Sequence, residues 1–252
     1  MRVFVVSDIH VDYSENKQWL VDISNEDYVD DILIVAGDIT DDLKLLDQCF
    51  RALTKKFLKV LFVPGNHELW VSRDTTSHSL EKFELITQVA ADNDVGTQPY
   101  HNETLSIVPL LGWYDFSFAP LTEQLEKIWM DFRACVWPDN LRPADVTEYF
   151  VAKNEAYLQI TNQTVISFSH FLPRIDLMPI YIPQAYRYVY PALGSVLLEK
   201  QIRKLKPDIH VYGHSHVNRR VTLEGIKYVN NAFGYPSEDS ISIKNLLCIY
   251  EH

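Results

Sequence analysis

Short apolar runs that stop abruptly at polar residues punctuate this chain. Val3-Phe4-Val5-Val6 gives way to Asp8 and His10, and Ile32-Leu33-Ile34-Val35-Ala36 to Gly37-Asp38. Val60-Leu61-Phe62-Val63 breaks off at Pro64-Gly65-Asn66-His67-Glu68. Further on, Val165-Ile166-Ser167-Phe168 precedes His170, and Ile209-His210-Val211-Tyr212 precedes Gly213-His214-Ser215-His216. Their β-branched content and Gly/Pro boundaries predict buried strands rather than pieces of helix. Between them, Leu43, Leu46, Phe50, Leu53 and Phe57 recur at helical spacing, with Asp41 or Asp42 placed to cap the start. Residues 17–30 read as an earlier acidic crossover with a solvated face. A helix from about Leu193 carries Leu198, Ile202 and Leu205 on one face and stops before Pro207. The runs 220–223 and 226–229 flank Glu224-Gly225, the signature of a two-residue hairpin, and 246–250 reads as a last strand.

From 69 to 164 the alternation of strand and helix is less regular, and aromatic residues are dispersed among prolines as packing residues are. The pattern predicts helices at roughly 79–92, 121–134 and 144–161 and a strand at 104–112. The exit of that strand, Gly112-Trp113-Tyr114-Asp115, makes Tyr114 and Asp115 candidate substrate contacts. No Gly- or Ser-rich linker and no repeat marks a border. Residues 1–252 are therefore expected to form one domain, with 69–164 as an aromatic-rich helical insertion. The long segment 171–191, rich in Pro and Tyr, reads as a functional loop. It holds Arg174, four residues past His170 and chemically suited to a phosphate oxygen, and Arg187 as a competitor.

Five strand endings that carry Asp, Asn or His change the picture from fold to chemistry. In open α/β sheets, ligands bind beyond the carboxyl ends of the strands, so these endings can converge. Two Asp, one Asn and four His in one place would hold two metal ions, which can clamp a phosphoryl group between attacking and leaving oxygens. The formal net charge of −11 disfavours a broad nucleic-acid surface, which relies on Lys and Arg contacts to phosphates. It is compatible with a small anionic substrate. Cys49, Cys135 and Cys248 form no CxxC pattern and suit a reducing, cytoplasmic setting. The first apolar run is too short for a signal peptide, and none is long enough to span a membrane. The sequence leaves oligomeric state open.

Asp8-x-His10, Gly37-Asp38-x-x-Asp41, Gly65-Asn66-His67-Glu68, the isolated His170 and Gly213-His214-x-His216 occur in the order and spacing of the calcineurin-like metallophosphoesterases, which this chain resembles. The resemblance implies an α/β architecture of layered α+β character, in which two mixed β-sheets form a sandwich flanked by helices. It places a dimetal site at the strand C-terminal ends. It further implies Asp8, His10, Asp38 and His216 around a first metal, and Asp38, Asn66, His170 and His214 around a second. The donor set suits Mn, Fe or Zn alike. By the same resemblance a metal-bridging hydroxide is the nucleophile, His67 is the general acid toward the leaving oxygen, and Asp41 orients His67 and favours its protonated form. Glu68 closes its motif as a structural residue, while His78, His101, His210 and His252 fall outside the matched motifs. The expected activity is hydrolysis of a small phosphomonoester or phosphodiester. Asp42-Leu43 after Asp41, and Leu69-Trp70 after Glu68, depart from the Ser/Thr protein phosphatase branch. The alternatives are a nuclease of the same superfamily and a catalytically silent scaffold like the retromer subunit that resembles this family.

Overall fold

The apolar runs pair into two mixed sheets in this computed structural model, which describes residues 1–73 and 75–251. His252 lies outside the described residues. In the first sheet β1 (Arg2–Val6), β2 (Ile32–Ala36), β3 (Lys59–Val63) and β4 (Val95–Gly96) run parallel, and β11 (Leu247–Glu251) pairs antiparallel with β1. The second sheet has the order β5 (Tyr100–His101), β6 (Leu105–Pro109), β7 (Thr164–Phe168), β8 (Ile209–Tyr212), β10 (Ile226–Asn230) and β9 (Arg219–Leu223). Its four inner strands are parallel and its two edges antiparallel.

Alternation along the strands decides what each face covers. Val3, Val5, Ile32, Ile34, Leu61 and Val63 pack against Leu105, Ile107, Ile166, Phe168 and Val211, forming the layer between the sheets. Phe4, Val6, Leu33, Val35, Val60 and Phe62 face the other way, into a cluster with helices α1 (Ser14–Asp22), α2 (Leu43–Leu53) and α3 (Ser79–Asp92). Helices α4 (Glu123–Ile128), α5 (Asp131–Ala134) and α6 (Pro143–Asn154) come from the middle of the chain, and α7 (Val196–Leu205) packs Ile202 and Leu205 beneath Tyr212 and Tyr228. A parallel bridge between Ser7 and Ala232 fastens the two sheets where their strands end. Phe233 N donates to Ser7 O at 2.8 Å across the same junction. Among the described residues no helix is long and apolar enough to cross a membrane.

The sandwich matches the expected class, with local differences. Asp42 rather than Asp41 caps α2, its Oδ1 accepting from Lys44 N at 2.8 Å and Leu45 N at 3.0 Å. The helix expected over 121–134 divides into α4 and α5, because Trp129 turns to an extended conformation (ψ 118°) and its indole N–H donates to Asp131 Oδ2 at 2.8 Å. The helix expected over 144–161 leaves α geometry after Asn154, and the strand expected over 104–112 ends at Pro109. Segment 171–191 is more ordered than a loop, with 3-10 turns at Ile175–Leu177 and Gln184–Ala192.

Candidate metal centre

Five strands deliver the side chains that meet at one end of the sandwich. Asp8 and His10 follow β1, Asp38 follows β2, Asn66 follows β3, His170 follows β7, and His214 and His216 follow β8. Asp8, His10, Asp38 and His216 offer one ligand atom each within 4.8 Å of one another, as do Asp38, His170 and His214. All of these side chains are buried, and Asp38 belongs to both groups. Asn66 joins the second group through Oδ1, 3.2 Å from His170 Nε2.

The hydrogen bonds on the outer side of each ring show which nitrogen faces inward. His170 Nδ1 donates to Ala36 O and His214 Nε2 to Ala192 O, both at 2.9 Å. Burial lowers the pKa of both rings, so each is neutral and keeps a lone pair on its other nitrogen. Those nitrogens, His170 Nε2 and His214 Nδ1, lie 3.1 Å apart, with Asn66 Oδ1 and Asp38 Oδ2 beside them. With Asp38 ionised, four acceptors thus face one another, an arrangement that repels itself unless a proton or a cation joins them. Atoms held at roughly 2.1 Å from one ion at 90–110° would be about 3.0–3.4 Å apart, which these spacings match. In the other group His216 Nδ1 donates to Glu238 Oε2 at 2.6 Å, turning Nε2 toward Asp8 Oδ1 (3.3 Å) and His10 Nε2 (3.1 Å). A ring N–H given to a carboxylate or backbone carbonyl is the usual support of a metal-binding histidine.

The electrostatics also call for positive charge. Burial, followed by the charges of Glu68 and Asp8, pushes the Asp38 carboxyl well above its ordinary range. Burial opposes a charge on His216, yet Asp8 and Glu238 raise its pKa to about 10. The protein alone therefore draws a proton to a place that suits a metal ion.

Backbone shape brings these groups together. Asp8, His10, Asp38, His214 and His216 all adopt positive φ, between 47° and 65°, where non-glycine residues are strained. Gly65 admits Asp38, since a Cβ there would sit 2.1 Å from Asp38 Oδ1. Glu68 supports the turn after β2 from within the turn after β3. Its buried carboxylate accepts from the N–H groups of Gly65 (2.7 Å), Asp38 (2.9 Å), Ile39 (2.5 Å) and Thr40 (3.1 Å).

His67 stands beside both groups without belonging to either. Its N–H donates to Asp38 Oδ1 at 3.0 Å, and its ring stacks on Trp70 with centroids 3.8 Å apart. Burial, then His216 and His170, lowers its pKa to about 3. The free site therefore holds His67 neutral, opposite to the protonated form expected. The expected Asp41–His67 hydrogen bond is not formed. Asp41 Oδ1 lies 3.1 Å from Arg73 Nη1, which also bonds Asp12, so Asp41 is engaged elsewhere.

The expected substrate contacts also lie away from the centre. Arg174 bonds Asp176, Glu199 and Glu224 and lines a separate cleft, because three carboxylates from neighbouring elements compete for its guanidinium. Arg187 is held by the carbonyls of Ile182 and Ile180. Asp115 accepts from Ser195 Oγ at 2.6 Å and Ser117 N at 3.0 Å and braces the start of α7. Tyr114 is buried, its ring stacked on Trp113 with centroids 5.0 Å apart.

Asp131 is a supporting residue that sequence reasoning missed. Its Oδ1 accepts from Asn66 Nδ2 at 2.9 Å and Trp70 Nε1 at 2.7 Å, while Oδ2 takes Trp129 Nε1. One buried carboxylate thus orients Asn66, the ring beneath His67, and a wall of the cleft. Nothing in the sequence distinguishes it from other acidic residues of the middle region. Asp131→Ala is expected to weaken binding of one of the two ions by roughly 10–100-fold, the usual cost of losing a ligand's support. Metal titration against a competing chelator is the measurement, and unchanged affinity for both ions would remove Asp131 from this role.

A cleft of about 380 Å³ opens over the centre, lined by His67, Trp129, Met178, Tyr188, Leu193 and Tyr235 among others. It adjoins a lobe of about 270 Å³ that adds Trp70, Ile128 and Met130. No Arg or Lys lines either among the described residues.

A family model described as calcineurin-like phosphoesterase matches residues 1–218. The chain is 25% identical over 260 residues to the acyl-carrier-protein phosphodiesterase PptH of Mycobacterium tuberculosis, covering 94% of this chain and 78% of that protein. The crystal structure of the phosphopantetheinyl hydrolase PptH from Mycobacterium tuberculosis superimposes with a TM-score of 0.82 at 22% identity, over 98% of this chain and 95% of the other.

Proposed function

The chain belongs to the calcineurin-like phosphoesterase family, and from that premise we propose that it hydrolyses phosphodiesters with at least one small ester arm. The observation that carries the metal-dependent chemistry is the set of inward-facing acceptors at the strand ends, with Asp38 common to its two halves. Asp8, His10, Asp38 and His216 would hold one ion, and Asp38, Asn66, His170 and His214 the other. When bound, the ions generate a nucleophile from water at neutral pH and neutralise charge on the phosphoryl group. Mn, Fe and Zn all suit these donors.

The chain's own contribution is positioning and proton delivery. Trp70 holds the His67 ring at the mouth shared by both lobes, where Nε2 can serve the leaving oxygen as general acid. A bound phosphate anion would favour the proton that burial otherwise keeps off this ring. Aromatic and aliphatic walls without Arg or Lys among the described residues suit the single charge of a diester better than the double charge of a monoester. The relative named acyl-carrier-protein phosphodiesterase makes a phosphopantetheine diester the first natural substrate to test. The same reading treats residues 1–252 as one domain. Three unpaired cysteines support a reducing compartment.

Purified protein loaded in turn with Mn, Fe and Zn is expected to cleave bis(p-nitrophenyl) phosphate faster than p-nitrophenyl phosphate. It is also expected to release phosphopantetheine from a carrier protein. Activity confined to monoesters, or to long oligonucleotides, would overturn the diester reading.

A further inference from the structure

The oxygens of a phosphoryl group held at two metals keep lone pairs that a donor can satisfy, and this cleft offers no guanidinium or ammonium for them among the described residues. The remaining donors along its walls are few. The indole N–H groups of Trp70 and Trp129 are committed to Asp131. Tyr188 shares the wall but makes no ring contact with a candidate ligand among the described residues.

Tyr235 is placed differently. Its ring stacks on His10, with centroids 4.5 Å apart and an interplanar angle of 29°, and meets His216 edge-on at 4.9 Å. Its backbone is held on both sides. The amide donates to Glu238 Oε2 at 2.7 Å, the same atom that accepts from His216 Nδ1, and its carbonyl accepts from Lys244 Nζ at 2.6 Å. The preceding Gly234 has φ +74°, and a Cβ there would sit 2.7 Å from Glu238 Oε2, so this approach of the chain to the centre depends on glycine. Against this rigid frame, the Tyr235 hydroxyl makes no hydrogen bond among the described residues, and the side chain lines both lobes of the cleft beside His67. A phenol on two χ angles loses little conformational freedom on binding, and it donates at neutral pH.

We propose that Tyr235 is a substrate-binding residue whose hydroxyl donates to a phosphoryl oxygen of the bound ester. This assignment rests on the phosphoesterase reading above. A neutral donor fixed over the first group of ligands favours a singly charged phosphodiester, whereas a guanidinium would favour a monoester dianion.

Tyr235→Phe keeps the ring that stacks on His10, so metal content by elemental analysis and the thermal midpoint are expected to match wild type. Affinity of the metal-loaded protein for inorganic phosphate, measured by calorimetry, is expected to fall roughly tenfold to a hundredfold, the range for a hydrogen bond to a charged group. Its kcat/KM on bis(p-nitrophenyl) phosphate is expected to fall by a similar factor. Wild-type phosphate affinity in the variant overturns the proposal. So does loss of metal in Tyr235→Phe, which would make the hydroxyl a ligand instead. A wild-type protein that binds phosphate but cleaves no ester sinks the phosphoesterase reading and leaves the two affinities to decide Tyr235; one that binds no phosphate overturns both.

Discussion

Asp38→Ala is expected to lose both metal ions and, with them, all measurable phosphoesterase activity. Asp38 is the only residue common to the two groups of candidate ligands among the described residues. Its carboxylate is buried, follows β2 on a residue with φ 58°, and has no compensating Lys or Arg as an ion-pair partner among the described residues. Removing support from a ligand already costs roughly 10–100-fold in metal affinity, so deleting a shared ligand should cost more than about a hundredfold at each ion. His214→Ala removes a member of one group only and is expected to retain one ion. Elemental analysis of the two variants after identical loading separates these outcomes. Full metal occupancy in Asp38→Ala would sink the assignment of Asp38 as the shared ligand.

The second large effect belongs to His67. His67→Gln is expected to keep both ions, since the side chain lies outside both ligand groups, while turnover on alkyl esters falls by roughly 10²–10⁴-fold, the usual contribution of general acid catalysis. The loss on aryl esters should be smaller, because phenolate leaves with less need of a proton. The geometry sharpens this expectation. Trp70 stacks on the ring and its indole N–H donates to Asp131, so an aromatic face, rather than Asp41, contacts the His67 ring. With its pKa lowered to about 3 in the free site, His67 would need a bound anion to favour its protonated form if it acts as the acid. An equal loss on alkyl and aryl esters would mean that His67 is not the acid.

The residues that bear on these two results differ in how legible they were. Asp8, His10, Asp38, Asn66, His170, His214 and His216 all follow apolar runs, which marked them as candidates, and the resemblance to the calcineurin-like metallophosphoesterases grouped them around two metals. Asp131 sits in the least regular part of the chain, and its partner Asn66 is 65 residues away. Arg174 was legible as chemistry but not as geometry. A guanidinium binds whichever carboxylates pack nearest, and here these are Asp176, Glu199 and Glu224. Tyr235 was missed because a single tyrosine after a hairpin strand has no pattern of its own.

The sequence by itself determined the sandwich and the convergence of its strand ends. Backbone hydrogen bonding places the carboxyl ends of neighbouring parallel strands side by side within each sheet, and the packing of one sheet on the other brings the ends of β1 and β8 together, so residues as distant as His10 and His216, 206 positions apart, come within 3.1 Å. Only the tertiary structure decided which nitrogen of each histidine faces inward, which carboxylate Arg73 takes from His67, and which aromatic residues wall the cleft. Those choices depend on competition among side chains from separate elements for a small number of partners. Residue order does not encode the outcome, because it is settled only when packing fixes the distances.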